Sequence, residues 1–372
     1  MSDRNPFVFA KVVAGRDFCN RAEMAAIQSR IESGQSIALI GPRRTGKTSA
    51  IHEAVKRAKT NLIYVDLMAV KDLADVIKRI LDAMAASKPI MSKIMDVAKQ
   101  IGPSVSVSSG VVDEFKFNVS LGLSPHEEID TLEKALQALS KVIGNRKDYV
   151  IAFDEFQEIM EISDHEQALA ALRSRIQFMK QSIVFSGSVR HQLNWIFRDI
   201  KSPFYNSVTI FDINPIPREK LEPFLAKRFE KIGNALTQDA WDLLWSSTDG
   251  ISGNIQQLCG AIYDLRVRKH VTVKQVELAL HNLISQQSSS YADIMRNLPT
   301  HQAKTLAALA HHGGTEITGK LWMRNAGQTN ASSVKKSVTA LVKKELVWIH
   351  EKMYCISDPF FGAWLRMNYA QR

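Results

Sequence analysis

Cysteine is scarce in this chain. The three residues, Cys19, Cys259 and Cys355, are far apart and odd in number. Such spacing offers neither a disulfide framework nor the closely paired ligands of a zinc site. Three reduced thiols are expected. Long apolar runs are missing too. No stretch approaches the roughly 18 apolar residues of a membrane span. The opening "MSDRNPFVFAKVV" has no apolar leader segment. No membrane partner is expected, and the expected location is cytoplasmic. Acidic residues are the minority charge, with Asp+Glu 38 against Lys+Arg 48 and a formal net charge of +10. That excess suits a polyanionic partner but says nothing about fold. What remains is ordinary globular composition, 45% hydrophobic and 23% charged. The 372 residues suggest two or three domains, because single cores seldom grow far past about 250 residues.

The stretch "SIALIGPRRTGKTSAI", residues 36–51, carries the strongest signal. Gly41, Gly46, Lys47 and Thr48 occupy the fixed places of G-x-x-x-x-G-K-[ST]. A chain of this length would contain the pattern by chance roughly once in a hundred. The apolar run "IALI" before it reads as a buried strand, and "KTSAIHEAVKRA" after it has apolar residues at helical spacing. In a strand–turn–helix of this kind, converging backbone N–H groups and the helix N-terminus cradle phosphate. Lys47 would reach the β- and γ-phosphates, and Thr48 would bind Mg²⁺. Pro42, Arg43, Arg44 and Thr45 complete the loop and Ser49 follows it, so all are candidates for nucleotide contact.

A phosphate cradle needs a carboxylate for its metal. "DYVIAFDEFQEI" supplies a second buried strand ended by Asp154 and Glu155. A carboxylate at the C-terminal edge of a parallel strand lies beside the cradle. Asp154 would hold Mg²⁺ through its water shell, and Glu155 would orient or deprotonate the attacking water. A third strand, "SIVFSGS", ends in Ser186 and Ser188, either of which could hydrogen-bond that water or the γ-phosphate.

Strands and helical patterns alternate from residue 37 to 213, which argues for a parallel sheet with helices on both faces. The segment 103–125 alternates polar and apolar residues around Ser-Ser-Gly and reads as a β-hairpin insert. From Pro215 the pattern turns helical. "QQSSSY", residues 286–291, reads as a polar linker. Beyond it, three helical patterns and an alternating "VWIHEKMYCISD" make a winged helix-turn-helix. The divisions expected are a core over 1–214, a helical lid over 215–290 and a winged helix over 291–372. From residue 291 onward there are 11 Lys+Arg against 5 Asp+Glu, a balance of +6. In the third helix Lys336 and Lys343 stand opposite an apolar stripe of Val334, Val338, Leu341 and Val342, with Lys335 and Lys344 at its flanks. Residues seven apart, such as Lys336 and Lys343, fall within about 20° of one helix face. With Ser332 and Ser333 at the helix start, Lys335, Lys336 and Lys343 are candidate DNA contacts, made to phosphates more than to bases.

These motifs together resemble the archaeal-type ATPases of the AAA+/STAND group, relatives of the replication-initiator ATPases. "NPFVFAKVVAGRDFCNRAEM" is similar to their N-terminal segment, with Phe18, Arg21 and Glu23 in an F-x-x-R-x-E pattern that implies Arg21 lies near the adenine. "GPRRTGKTS", "FDEFQEI" and "FSGS" are similar to their next motifs, "TDGISGNIQQLC" to their lid motif and "ISDPFFGAWLR" to the end of their winged helix. The resemblance spans nearly the whole chain. It implies a P-loop NTPase α/β core, a helical lid bundle and a winged helix-turn-helix. The departures are Ser252 where the lid usually has proline, Gln256 and Gln257 where an initiator relative often has arginine, and Asn206 after "SPFY" where an arginine is usual. Arg190 and Arg198 are the nearest arginines. These departures weigh against a trans-acting arginine finger and imply slow hydrolysis.

The expected function is that of an ATP-binding, Mg²⁺-dependent, slowly hydrolysing molecular switch whose nucleotide state controls a winged helix that binds duplex DNA. Two other readings stay open: a sensor ATPase in defence or stress signalling whose C-terminal module binds a protein partner, and a ring-forming DNA loader. A nucleotide-dependent homo-oligomer fits the second.

Overall fold

The computed structural model describes residues 4–87, 101, 105–109, 115–119, 125–188, 190–267, 269–350 and 352–369. Two compact units emerge, Val12–Asn214 on one side and Met1–Lys11 with Pro215–Arg372 on the other. Residues 4–11 therefore group with the C-terminal part, where the sequence reading placed them with the core. Packing explains it. Phe7 is buried with its ring 4.4 Å from that of Phe229, and Asn5 Nδ2 donates to the Gly260 carbonyl at 3.4 Å.

In the unit Val12–Asn214, β1 (Ile37–Ile40), β2 (Asn61–Asp66), β5 (Tyr149–Asp154), β6 (Ser182–Gly187) and β7 (Thr209–Asp212) form one sheet in the order β2-β5-β6-β1-β7. Every pairing in it is parallel. Successive strand residues point to opposite faces, and "IALI" serves both. Ala38 and Ile40 join the core under α3 (Leu73–Ala86), α4 (Pro125–Ile143), α5 (His165–Ile176) and α6 (Arg190–Arg198). Ile37 and Leu39 join the core under α1 (Met24–Glu32) and α2 (Lys47–Ala58). A continuous apolar run is what a strand buried on both faces requires.

Beneath the C-terminal end of β5 lies an aromatic cluster. Phe156 and Phe185 have ring centroids 4.5 Å apart, and Phe153, Phe197 and Phe204 surround them. Truncating any one of these buried rings to alanine removes about 3–5 kcal/mol. The expected insert contains β3 (Val105–Ser109) and β4 (Phe115–Val119), paired antiparallel from Val105↔Val119 to Ser109↔Phe115. The rest of it, residues 103–104, 110–114 and 120–124, lies outside the described residues.

The other unit starts with α7 (Arg218–Lys231), α8 (Gln238–Ser246) and α9 (Ser252–Asp264). A short parallel pair joins β8 (Asn234–Leu236) to β9 (Lys269–Val271). Then α10 runs unbroken from Val273 to Asn297, opened by a capping box between Thr272 and Gln275. It passes straight through "QQSSSY", so the expected linker is helix. Tertiary contacts override its weak propensity. Tyr291 is buried, stacked 4.8 Å from Phe361, and Ser288 Oγ accepts from Trp364 Nε1 at 2.8 Å. There follow α11 (Thr300–His312), α12 (Lys320–Asn325), α13 (Ala331–Lys343), the antiparallel pair β10 (Val347–His350) and β11 (Met353–Ile356), and α14 (Pro359–Asn368). Three helices and a two-stranded wing make a winged helix. No helix among the described residues is long and apolar enough to cross a membrane.

Candidate functional site

The phosphate-binding loop leaves β1 at Ile40 and enters α2 at Lys47. Gly41 is required by close approach: a Cβ there would sit 2.1 Å from the Ile213 carbonyl oxygen. Gly46 is required by conformation, with φ of 90° immediately before the helix. Thr45, fully buried, closes the loop by donating to the Pro42 carbonyl at 2.8 Å. Arg43 and Arg44 are exposed.

Lys47 lies almost wholly buried. Its Nζ donates to the carbonyls of Gly41 at 2.9 Å and Pro42 at 3.0 Å. Burial pulls the ammonium below the ordinary lysine value, and the negative charges of Glu155 and Asp154 offset part of that. A buried cation held by loop carbonyls beside two carboxylates is the charge arrangement of a phosphate cradle.

Asp154, at the end of β5, accepts four hydrogen bonds. Thr48 Oγ1 donates to its Oδ2 at 2.6 Å, and Tyr64 donates to the same oxygen at 2.5 Å. Ser186 Oγ and the Glu155 backbone N–H, the latter at 3.0 Å, donate to Oδ1. The register explains the convergence. Phe153 pairs with Phe185, so Ser186 follows beside Asp154, and Asp66 of β2 pairs with Asp154 on its other side. Burial pushes the Asp154 carboxyl upward, but the bonds from Ser186, Thr48, Tyr64 and the Glu155 N–H outweigh it and hold the group below the usual carboxylate range. Tyr64 is shifted the other way, its phenol pushed well up by burial and by the Asp154 charge.

Glu155 adopts a left-handed backbone, φ 49° and ψ 44°, uncommon for a non-glycine residue. The turn lifts its side chain out of the strand. Ser188 Oγ donates to its Oε2 at 3.1 Å and Gln157 Nε2 to the same oxygen at 2.6 Å. Gln157 is itself buried against Gly187, where a Cβ would lie 1.9 Å from Gln157 Oε1.

Lys47, Thr48, Asp154, Glu155, Ser186 and Ser188 thus form one cluster at the C-terminal edge of the sheet. Three candidates are engaged by other parts of the protein. Ser186, expected to meet the attacking water, is buried and donates to Asp154. Ser49 Oγ accepts from the Val13 N–H at 3.1 Å, tying the incoming chain to α2. Arg21 is buried and braces the loop. One guanidinium N–H donates to the Thr45 carbonyl at 2.7 Å and another to the Asn214 carbonyl. Tyr64 and Gln157 escaped the sequence reading. Tyr64 carries no sequence signal, because the register that aims it at Asp154 appears only in the pairing of β2 with β5.

In the winged helix, α13 buries Val334, Val338 and Leu341, while Val342 is half-buried. Lys335, Lys336, Lys343 and Lys344 are exposed, as is Ser332, and Ser333 is half-buried. Asn330 caps the helix, its side chain accepting from the N–H groups of Ser332 at 2.9 Å and Ser333 at 3.1 Å.

A glycine-turn lysine, a hydroxyl and paired carboxylates at the edge of a parallel sheet define a nucleotide-binding P-loop ATPase with a C-terminal winged helix. Comparison with known proteins agrees. Residues 18–258 match the family described as "ATPase domain predominantly from Archaea", more than half of the chain, and the protein belongs to that family. Residues 289–367 match a probable winged helix domain. No curated protein matches the sequence significantly. Among solved structures, the chain is similar to the Walker-type ATPase PABY2304 of Pyrococcus abyssi, with TM-score 0.66, 16% identity, and 97% of this chain and 99% of that one covered. It is similar to the Aeropyrum pernix ORC1 protein in complex with DNA, with TM-score 0.52, 16% identity, and 93% and 92% covered. The Aeropyrum pernix ORC2 protein, in ADPNP–ADP complexes, gives TM-score 0.50, 13% identity, and 93% and 94% covered. At these identities the likeness speaks for the fold.

Proposed function

We propose that the protein is an ATP-driven, slowly hydrolysing switch of the AAA+/STAND kind whose nucleotide state controls a winged helix that binds duplex DNA. The observation that carries the reading is the convergence of Lys47, Thr48, Asp154 and Glu155 at one sheet edge.

The donor set fits Mg²⁺. Thr48 Oγ1 and Asp154 Oδ2 are hard oxygen ligands 2.6 Å apart. Among the described residues no group of three or more His, Cys, Asp or Glu could hold a metal alone. Mg²⁺ characteristically takes one or two protein oxygens and completes its shell with phosphate and water. When bound, it would neutralise charge on the β- and γ-phosphates. The chain's own residues do the rest. Lys47 binds the same phosphates. Glu155 accepts a proton from the attacking water through its carboxylate. Ser188 and Gln157 fix the orientation of that carboxylate, and Ser186 fixes that of Asp154. By resemblance, Asn206, Gln256 and Gln257 replace arginines usual in initiator relatives, and an arginine finger is worth about 10³–10⁵ in rate. ATP moves the switch only by its differential affinity for the two states.

Exposed lysines on α13 support the DNA half, as does the DNA complex of the A. pernix ORC1 protein. The helix has no Arg or Gln for bidentate base contacts, so sequence preference is modest. ATP turnover measured with and without duplex DNA at low salt, alongside sizing with a non-hydrolysable ATP analogue, tests the reading. Turnover raised by DNA supports it. Turnover raised only by a protein replaces it with the sensor, and a ring on sizing replaces it with the loader. Absence of turnover under all conditions overturns it.

A further inference from the structure

We infer that Tyr64 is a positioning residue for the metal side of this site: its hydroxyl holds Asp154 when Mg²⁺ is absent and yields that place when Mg²⁺–ATP binds. The inference rests on the Mg²⁺–ATP reading above.

Tyr64 pairs with Ala152 in the β2–β5 register, two residues before Asp66 pairs with Asp154. Alternate residues share a sheet face, so Tyr64 reaches Asp154 diagonally across the strands. A carboxylate offers about four acceptor positions, and here all four are taken. Ser186 and the Glu155 N–H hold Oδ1, and Thr48 and Tyr64 hold Oδ2. A metal-bound water that donates to Asp154 must displace one of them. Ser186 is 1% exposed within β6, and the Glu155 N–H belongs to a fixed backbone turn. Thr48 can ligate a metal through an oxygen lone pair while still donating its proton to Asp154. Tyr64 is the remaining donor. It is half-buried, its ring lies beside His52 with centroids 5.5 Å apart, and its hydroxyl can turn to accept from the same metal-bound water.

Removing the competitor should therefore ease metal entry. Binding of a fluorescent ATP analogue is measured at rising Mg²⁺ and, separately, in EDTA. Tyr64→Phe is expected to lower the Mg²⁺ needed for half-maximal enhancement by about three- to tenfold, the range of a partly compensated hydrogen bond to a charged group. Affinity in EDTA should be unchanged. Ser186→Ala, which acts on the other oxygen and is not displaced, should raise the Mg²⁺ needed. Adding Mg²⁺ to the ATP-loaded wild type should also give a tyrosine ultraviolet difference spectrum that Tyr64→Phe lacks. A Mg²⁺ requirement that is unchanged or higher in Tyr64→Phe overturns the inference, as does a difference spectrum that persists in that variant. Melting without nucleotide checks that Tyr64→Phe folds; if it does not, absence of the spectrum in the wild type still overturns the inference. Failure of the wild type to bind the analogue at all sinks the ATP reading instead, a result distinguishable from either.

Discussion

The nucleotide site and the lysine face of α13 hold their candidate side chains in opposite physical settings. Around the phosphate loop, the candidate side chains are buried or half-buried and hold one another. Lys47 is bound to loop carbonyls, Thr48 and Ser186 to Asp154, and Ser188 and Gln157 to Glu155. On α13 one helix stripe packs while Lys335, Lys336 and Lys343 stand in solvent. In the first setting, burial strengthens electrostatics, and the arrangement depends on every donor keeping its place. In the second, charges are screened, contribute in small increments and can be removed without disturbing the fold.

The sharpest way to break this contrast is Glu155→Gln. The amide keeps the shape and loses the base, so single-turnover hydrolysis should fall by about 10²–10⁴ while ATP affinity holds. Unchanged turnover would move the base elsewhere. Lys47→Ala should weaken ATP binding about a hundredfold or more, because a buried polyphosphate loses charge-assisted bonds; calorimetry showing wild-type affinity would undo the cradle assignment. Across the contrast, the paired change Lys335→Ala and Lys336→Ala should leave ATP binding alone. Its effect belongs in the salt dependence of DNA binding, whose slope should flatten by about 1.8, two phosphate contacts' worth. A slope equal to that of the wild type would mean these lysines do not face DNA. Smallest is Asn330→Ala, which leaves the two capped N–H groups without their acceptor and should destabilise the winged helix by about 1 kcal/mol. Denaturant unfolding reads it directly, and an unchanged midpoint would show the cap to be idle.

The phosphate loop was legible because its chemistry is local. Gly41, Gly46, Lys47 and Thr48 sit within eight consecutive residues, and glycine spacing alone announces a backbone that must turn tightly. Asp154 and Glu155 were legible because they end an apolar run. The stripe on α13 was legible by helical period. Three features were not. Nothing in "QQSSSY" announces a helix; burial of Tyr291 against Phe361 and the bond from Trp364 to Ser288 impose one. The N-terminal segment reads as part of the core until Phe7 is found against Phe229. The bonds from Arg21 to the carbonyls of Thr45 and Asn214, the latter 193 positions away in the chain, carry no local signal either.

By itself, then, the sequence determined the class of protein: a phosphate loop, a pair of carboxylates ending a buried strand and a basic helix face, each written in a few neighbouring residues. Tertiary structure decided which side chains complete those groups. Tyr64 reaches Asp154 only because β2 lies beside β5 in a register that pairs Asp66 with Asp154, and Ser186 reaches it only because β6 lies on the other side. Strand order is set by how long-range apolar surfaces bury one another, and a one-residue slip would turn each of these side chains to the opposite face.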